Sequence, residues 1–276
     1  DCLRNRIRSL MIIDLNGSKV FAHTGGRKFD PSLPALILIH GAGNDHTFWG
    51  MQTRYFAHHG YSVLALDLPG HGRSDGKPLS NISDIAAWLW KVIDCLRPSQ
   101  VNLAGHSMGS LIALEAAAMH PEKTKSLILV GAAERVAVHK DLLKASLKND
   151  PSSYDMITDW GFSKWSHLGG HQVPGLWMQG GSKALLASGS AGVLSCDLVA
   201  CNEYTQAIEA AKKIICPSLI LIGSKDRMTP PAMAENLIKN LESVEIQSIE
   251  STGHMIIVER INEAIDIIAD FLKQVA

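Results

Sequence analysis

The chain predicts an α/β protein in which parallel strands are joined by crossover helices, and three observations carry that prediction. Short apolar runs alternate with amphipathic ones through most of the 276 residues, as a parallel sheet covered by helices requires. The alternation stops between Glu134 and about Tyr204, where no strand is legible and the pairs Gly169, Gly170 and Gly180, Gly181 punctuate short helical stretches. Finally, the apolar run Val101 to Ala104 leads directly into Gly105, His106, Ser107, Met108, Gly109, a tight strand-to-helix turn with a serine at its tip.

Taken in order, Leu10 to Leu15 and Lys19 to His23 form an opening hairpin around Asn16, Gly17, a pair suited to the two left-handed positions of a type I′ turn. Ala35 to Ile39 is a buried strand that ends in His40, Gly41, Ala42, Gly43, followed by a helix over about 48–59 and a strand over 62–66. A helix over 83–96 has Asn81, Ser83 and Asp84 as candidate caps and Pro98 to close it. The strand over 101–105 precedes a helix over 108–120, then a strand over 125–130. After the interruption the rhythm resumes with a helix over about 202–213 and a strand over 218–222. A further strand over 245–249 and one apolar helix over about 255–275 complete the chain.

The serine turn carries chemistry. Glycines on either side of Ser107 let strand and helix approach closely, so the hydroxyl stands clear at the strand's end, with the positive end of the next helix beside it. A serine hydroxyl is a weak nucleophile until a base takes its proton and a third group fixes that base. Asp226 lies three residues past the strand ending at Gly223, and His254 lies in the loop after the strand ending at Ile249. Such loops are where these sheets keep their reactive groups. The order Ser107, Asp226, His254 suits a nucleophile, orienting acid and base. Two main-chain N–H groups are then needed for a tetrahedral oxyanion: that of Met108, and that of Ala42 in the glycine-rich loop after the early strand. Losing one such donor typically costs ~2.7–4 kcal/mol of transition-state stabilisation. Glu134 is a fallback for the acid.

The residues His40 to Gly43, then Leu66 to Asp75 (Leu, Asp, Leu, Pro, Gly, His, Gly, Arg, Ser, Asp), the serine turn, the Asp226 loop and Gly253, His254, Met255 together resemble the signatures of the α/β-hydrolase superfamily. Within it the chain is similar to the serine-nucleophile group with a compact cap that includes bacterial esterases, carbon–carbon bond hydrolases and perhydrolases. The resemblance implies a mostly parallel eight-stranded sheet flanked by helices, with a helical cap inserted after the sixth strand. The core would then be residues 1–133 and 205–276, and the cap 134–204. Ser107 stands where epoxide hydrolases and haloalkane dehalogenases carry aspartate, which argues against both.

Hydrophobic residues make up 46% and charged residues 19% of the chain, with 26 Lys plus Arg against 27 Asp plus Glu. That balance suits a folded soluble chain and leaves no electrostatic footprint for nucleic acid. Five scattered cysteines (Cys2, Cys95, Cys196, Cys201, Cys216) have no C-x-x-C spacing and read as free thiols of a cytoplasmic protein. The basic N-terminal residues lack a following apolar stretch of signal-peptide length, and no run approaches a membrane span. No cofactor is expected. His58, His59, His120, His167 and His171 have no metal-ligand spacing, so no metal is expected either.

The interrupted segment holds Trp160, Trp165 and Trp177 with Met178. These four, together with Trp49 just past the Ala42 loop, are candidates for an apolar substrate pocket, although tryptophans also serve simply to hold a small subdomain together. His106, His40, His71, Asp67 and Arg73 read as loop-shaping residues, and Asp45 as a cap. The expected activity is carboxylesterase chemistry on small or medium apolar esters through an acyl-enzyme. Alternatives are hydrolysis of a carbon–carbon bond in a ring-cleavage diketone, with Arg135 and Asn44 as candidates for a carboxylate, a lyase or perhydrolase using the same three side chains, and a ligand receptor that retains them.

Overall fold

The computed structural model describes residues 3–7, 10–169, 171 and 175–275. Its strands are β1 (Leu3–Ile7), β2 (Leu10–Leu15), β3 (Ser18–His23), β4 (Ala35–Ile39), β5 (Ser62–Leu66), β6 (Val101–His106), β7 (Thr124–Val130), β8 (Ser218–Gly223) and β9 (Val244–Ile249). They form one sheet in the order β1-β2-β3-β5-β4-β6-β7-β8-β9. The six strands from β4 to β9 run parallel, and β1, β2 and β3 join antiparallel at one edge. Eight of these strands are the expected ones. The ninth, β1, pairs with β2 through Arg4 and Ile12; its alternating basic residues hide the strand pattern.

The central strands are apolar throughout because both faces are covered. Along β4, Leu36 and Leu38 pack into one core with α1 (Gly50–Ala57) and α12 (Ile261–Gln274), while Ile37 and Ile39 pack into the other with α2 (Ile82–Leu96) and α3 (Met108–Met119). The buried set of α2 recurs at helical spacing: Ile82, Ile85, Ala86, Leu89, Ile93 and Leu96. Its Asn81 side chain accepts from the Ser83 and Asp84 N–H groups, and left-handed Arg97 ends it before Pro98. The hairpin of β2 and β3 turns through Asn16 and Gly17, both at positive φ (54° and 86°).

Two long helices expected from the sequence are each broken. The stretch 202–213 is the end of α8 (Val193–Glu203) and the short α9 (Ala207–Ala211). Between them Tyr204 takes extended backbone and its hydroxyl donates to Glu115 across a 2.5 Å bond. The stretch 255–275 is α11 (Ile256–Glu259) followed by α12, with Arg260 at φ −131° between them. The break accompanies the inward turn of Glu259, which is 2% exposed.

Between β7 and β8 the described residues contain no strand. The segment holds α4 (Lys140–Leu147), α5 (Ser152–Gly161), α6 (Lys164–His167), α7 (Met178–Ser188) and α8, in the interval where the insertion is expected. A last helix, α10 (Glu235–Asn240), follows β8. No single described helix is long and apolar enough to cross a membrane.

Candidate active site

Every residue of β6 is buried up to His106, and Ser107 emerges at φ 55°, ψ −119°, the strained turn expected of it. The flanking glycines are sterically required. A Cβ on Gly105 would lie 1.9 Å from the Gly109 carbonyl oxygen, and one on Gly109 would lie 2.3 Å from that of Ile39. Gly105→Ala should therefore force the turn apart and destabilise the fold by about 3 kcal/mol or more, the upper range for overpacking. A urea midpoint equal to wild type would contradict this.

His254 and Asp226 meet beside that turn. Nδ1 of His254 lies 2.8 Å from Asp226 Oδ2, and both side chains are 1% exposed. The Oδ1 of Asp226 accepts from the N–H groups of Met228 and Thr229. The Thr229 hydroxyl lies 2.8 Å from Oδ2, 3.0 Å from Nδ1 of His254 and 3.0 Å from the Gly131 carbonyl, so it links the carboxylate, the imidazole and the end of β7. Burial pushes the Asp226 carboxyl up, but the His254 imidazole and the hydrogen bonds from His254 and Thr229 outweigh it and hold it below the usual carboxylate range. Glu134, the fallback acid, is not part of this constellation. The other ring nitrogen, Nε2, has no hydrogen-bond partner among the described residues, and His254 and Ser107 both line a cavity of about 380 Å³.

The His254 loop is held from three sides. Its N–H and that of Met255 both donate to the Gly161 carbonyl at the end of α5, at 2.7 and 3.1 Å. The His106 Nε2–H donates to the His254 carbonyl at 2.9 Å, and burial, reinforced by His254, pushes the His106 imidazole down to about 3. His106 is thus a neutral brace. Glu259 accepts from the N–H groups of Gly253 and Ser163 and from the Ser166 hydroxyl. At Gly131 (φ 60°) a Cβ would lie 3.1 Å from His254 Cε1, so a side chain there would crowd the ring.

On the opposite wall, Gly41 and Ala42 line the cavity, and a Cβ on Gly41 would lie 3.2 Å from that of Ser107. Met108 begins α3, which leaves its N–H without a partner inside the helix; its side chain is wholly buried. The Gly43 N–H is turned away to Asp197 Oδ2 at 2.8 Å, leaving Ala42 to face the cavity. His40 shapes this loop, its Nδ1 on the Gly41 carbonyl and its Nε2 accepting from the Leu68 N–H.

Asp197 was invisible from sequence except as one acid inside the apolar run of α8. It is 1% exposed, and its Oδ2 also meets His71 Nε2 at 2.8 Å. His71 Nδ1 lies 3.0 Å from the Pro69 carbonyl. Both ring nitrogens face oxygen acceptors, an arrangement that favours the doubly protonated ring and an ion pair with Asp197. Burial pushes the imidazole down, but Asp197 and the Pro69 carbonyl more than reverse this and raise it above 6.5. The pair's stabilisation is then fully present below about 6.5 and is lost as pH rises through the raised value. Asp197→Asn should cost about 3 kcal/mol at pH 6 and clearly less at pH 9. Urea melts with an equal deficit at both pH values would refute the ion pair.

Of the five pocket candidates only Trp160 lines the cavity. Trp49 is 0% exposed and its Nε1–H donates to the Ile39 carbonyl, so it is core beneath the loop. Met178 is 4% exposed and lies in the core on the α1 and α12 side. Trp165 and Trp177 are 63% and 73% exposed and stand outside the cavity. The apolar wall comes instead from Val138, Leu142, Ile157, Leu198, Met228 and Met233. Asn44 lines the cavity, whereas Arg135 does not; Arg227 is the arginine that does. Asp67 is fully buried and accepts from His46 and the Arg73 N–H, and Asp45 caps the turn at Thr47, both as loop-ordering residues should.

Comparison with known proteins agrees with the fold. Residues 34–172 match the family described as the alpha/beta hydrolase fold, and the chain belongs to it. The chain is 28% identical over 239 residues to (E)-2-((N-methylformamido)methylene)succinate hydrolase of Acinetobacter baylyi, covering 83% of this chain and 88% of that one. It is 28% identical over 272 residues to Lipase 1 of Psychrobacter immobilis, covering 94% and 82%. An esterase from Exiguobacterium antarcticum superposes with a TM-score of 0.82 at 21% identity, over 97% of this chain and 100% of that one. Hydrolase activity is the common property of these relatives.

Proposed function

We propose that the protein is a serine hydrolase that cleaves carboxylic esters of small to medium apolar substrates through an acyl-enzyme. The observation that carries this reading is the His254 ring, bonded to Asp226 at Nδ1 and unpartnered at Nε2, in the same apolar cavity as the strained Ser107. Asp226 keeps the proton on Nδ1, so Nε2 offers a lone pair toward the cavity. The bond from Ser107 Oγ to Nε2 is not made in the resting structure; such bonds commonly tighten once substrate is seated. His254 then takes the hydroxyl proton as Oγ attacks the ester carbonyl. The amides of Ala42 and Met108 receive the oxyanion, and the imidazolium returns its proton to the departing alcohol. Water activated at the same nitrogen frees the acid.

The helices of residues 134–204 act as the cap: Trp160 and its apolar neighbours exclude water above Ser107. The free thiols of Cys196, Cys201 and Cys216 support a cytoplasmic setting. A second reading, carbon–carbon hydrolysis of a ring-cleavage diketone, is favoured by Arg227 at the cavity wall, where it could hold a carboxylate. Rapid-mixing kinetics with p-nitrophenyl esters of increasing acyl length separates the two. The ester reading expects a p-nitrophenol burst equal to the enzyme concentration, followed by turnover. No burst with any chain length, alongside turnover of a diketone, would replace it with the second.

A further inference from the structure

We propose that a second cleft, behind Asp226, binds a phosphate-bearing organic anion with a planar ring. The cleft measures about 670 Å³ and abuts the catalytic cavity, sharing Arg227 with it. Lys164 and Trp165 enter from α6, Lys225 and Arg227 from the loop after β8, and Arg260 from the junction of α11 and α12. Three separate elements thus bring four cationic side chains to one concavity in a chain whose net charge is only −1.

Among the described residues no ion pair joins Lys164, Lys225, Arg227 or Arg260 to a carboxylate. The described lysines that form ion pairs are Lys123, Lys183, Lys212, Lys239 and Lys273, and none of the four in the cleft is among them. The one acid lining the cleft, Asp226, is 5% exposed and already engaged with His254, Met228 and Thr229. Glu259 lies buried and, among the described residues, accepts from Gly253, Ser163 and Ser166. Glu250 accepts from the Ser224 hydroxyl. Four like charges gathered in a concavity against the single buried carboxylate of Asp226 leave a net positive field that focuses on whatever anion enters.

The rest of the lining narrows the ligand's chemistry. Phe162 borders the cleft but is only 1% exposed, whereas Trp165 borders it at 63% exposure. An exposed indole beside cations is a stacking surface for a planar ring whose phosphates reach the guanidinium and ammonium groups. Four positive charges suit two or more phosphate charges better than a single carboxylate. The ligand is either a free molecule or the phosphate-bearing part of a substrate that reaches the catalytic cavity past Arg227. The site does not depend on the chemistry proposed for Ser107.

Calorimetry and tryptophan fluorescence on the intact protein test this with ADP, inorganic pyrophosphate and adenosine. ADP should bind more tightly than pyrophosphate, quench fluorescence and weaken with salt, and adenosine should bind far more weakly. Lys164→Ala combined with Arg260→Ala should weaken ADP about tenfold or more at an unchanged unfolding midpoint. Trp165→Leu should remove the quench and leave pyrophosphate binding intact. Competitive inhibition of p-nitrophenyl acetate hydrolysis by ADP would assign the ligand to a substrate's phosphate-bearing part, and binding without competition would assign a free ligand. Failure of ADP and pyrophosphate to bind at millimolar concentration, or ADP binding unchanged in the double variant, overturns the site. ADP binding no tighter than pyrophosphate overturns the stacking contact.

Discussion

Ser107→Ala is expected to lower kcat for p-nitrophenyl ester hydrolysis by roughly 10⁴- to 10⁶-fold, the loss seen when a triad serine is removed while oxyanion donors and binding remain. Ser107 carries the φ of 55° in its backbone and only the hydroxyl in its chemistry. Alanine keeps the first strain and loses the second group, and the glycines that make the turn feasible are untouched. The urea midpoint should therefore stay close to wild type. KM should change little, because Trp160, Leu142 and Leu198 still form the apolar wall. An unchanged kcat would remove Ser107 from the reaction, and a collapsed midpoint would make the rate uninterpretable.

Asp226→Asn should cost about 10⁴-fold in kcat, as expected when the orienting acid is neutralised and the imidazole takes the wrong tautomer. The Oδ1 position accepts two main-chain N–H bonds, from Met228 at 2.8 Å and Thr229 at 2.9 Å, so the asparagine oxygen stays there. Its NH₂ then faces His254 Nδ1, which must become an acceptor, moving the ring proton to Nε2. The nitrogen that should take the Ser107 proton is thereby already protonated. Steady-state kinetics on the purified variant checks this; an effect below about tenfold would mean that the carboxylate charge is dispensable.

The parts of this site that sequence revealed are those built from special residues at short range. Gly105, Ser107 and Gly109 announce a turn that only glycine permits, and Asp226 and His254 each follow a clear apolar strand. The parts it hid are contacts between distant segments. Asp197 sits 154 positions from the Gly43 amide it holds, and a single acid in an apolar helix does not state its partner. Thr229 looks like any loop threonine until its hydroxyl is placed against Asp226, His254 and Gly131. The tryptophans misled for a related reason: composition says that a segment is aromatic, but which face each indole occupies is decided by packing. Trp49 went to the core, Trp165 and Trp177 outward, and only Trp160 of these four to the cavity that Ser107 lines. Strand β1 escaped because edge strands bury little and need no apolar run.

The Gly161 carbonyl, taking the N–H groups of both His254 and Met255, constrains how the enzyme can be re-engineered. A grafted cap from a relative would have to end its second helix with a carbonyl at the same point, or the imidazole loop would lose its anchor along with the old specificity. Recombination joints are better set after α5, so that its terminus stays with the scaffold together with Ile157 and Trp160, and only the later helices, with Leu198 of α8, are exchanged.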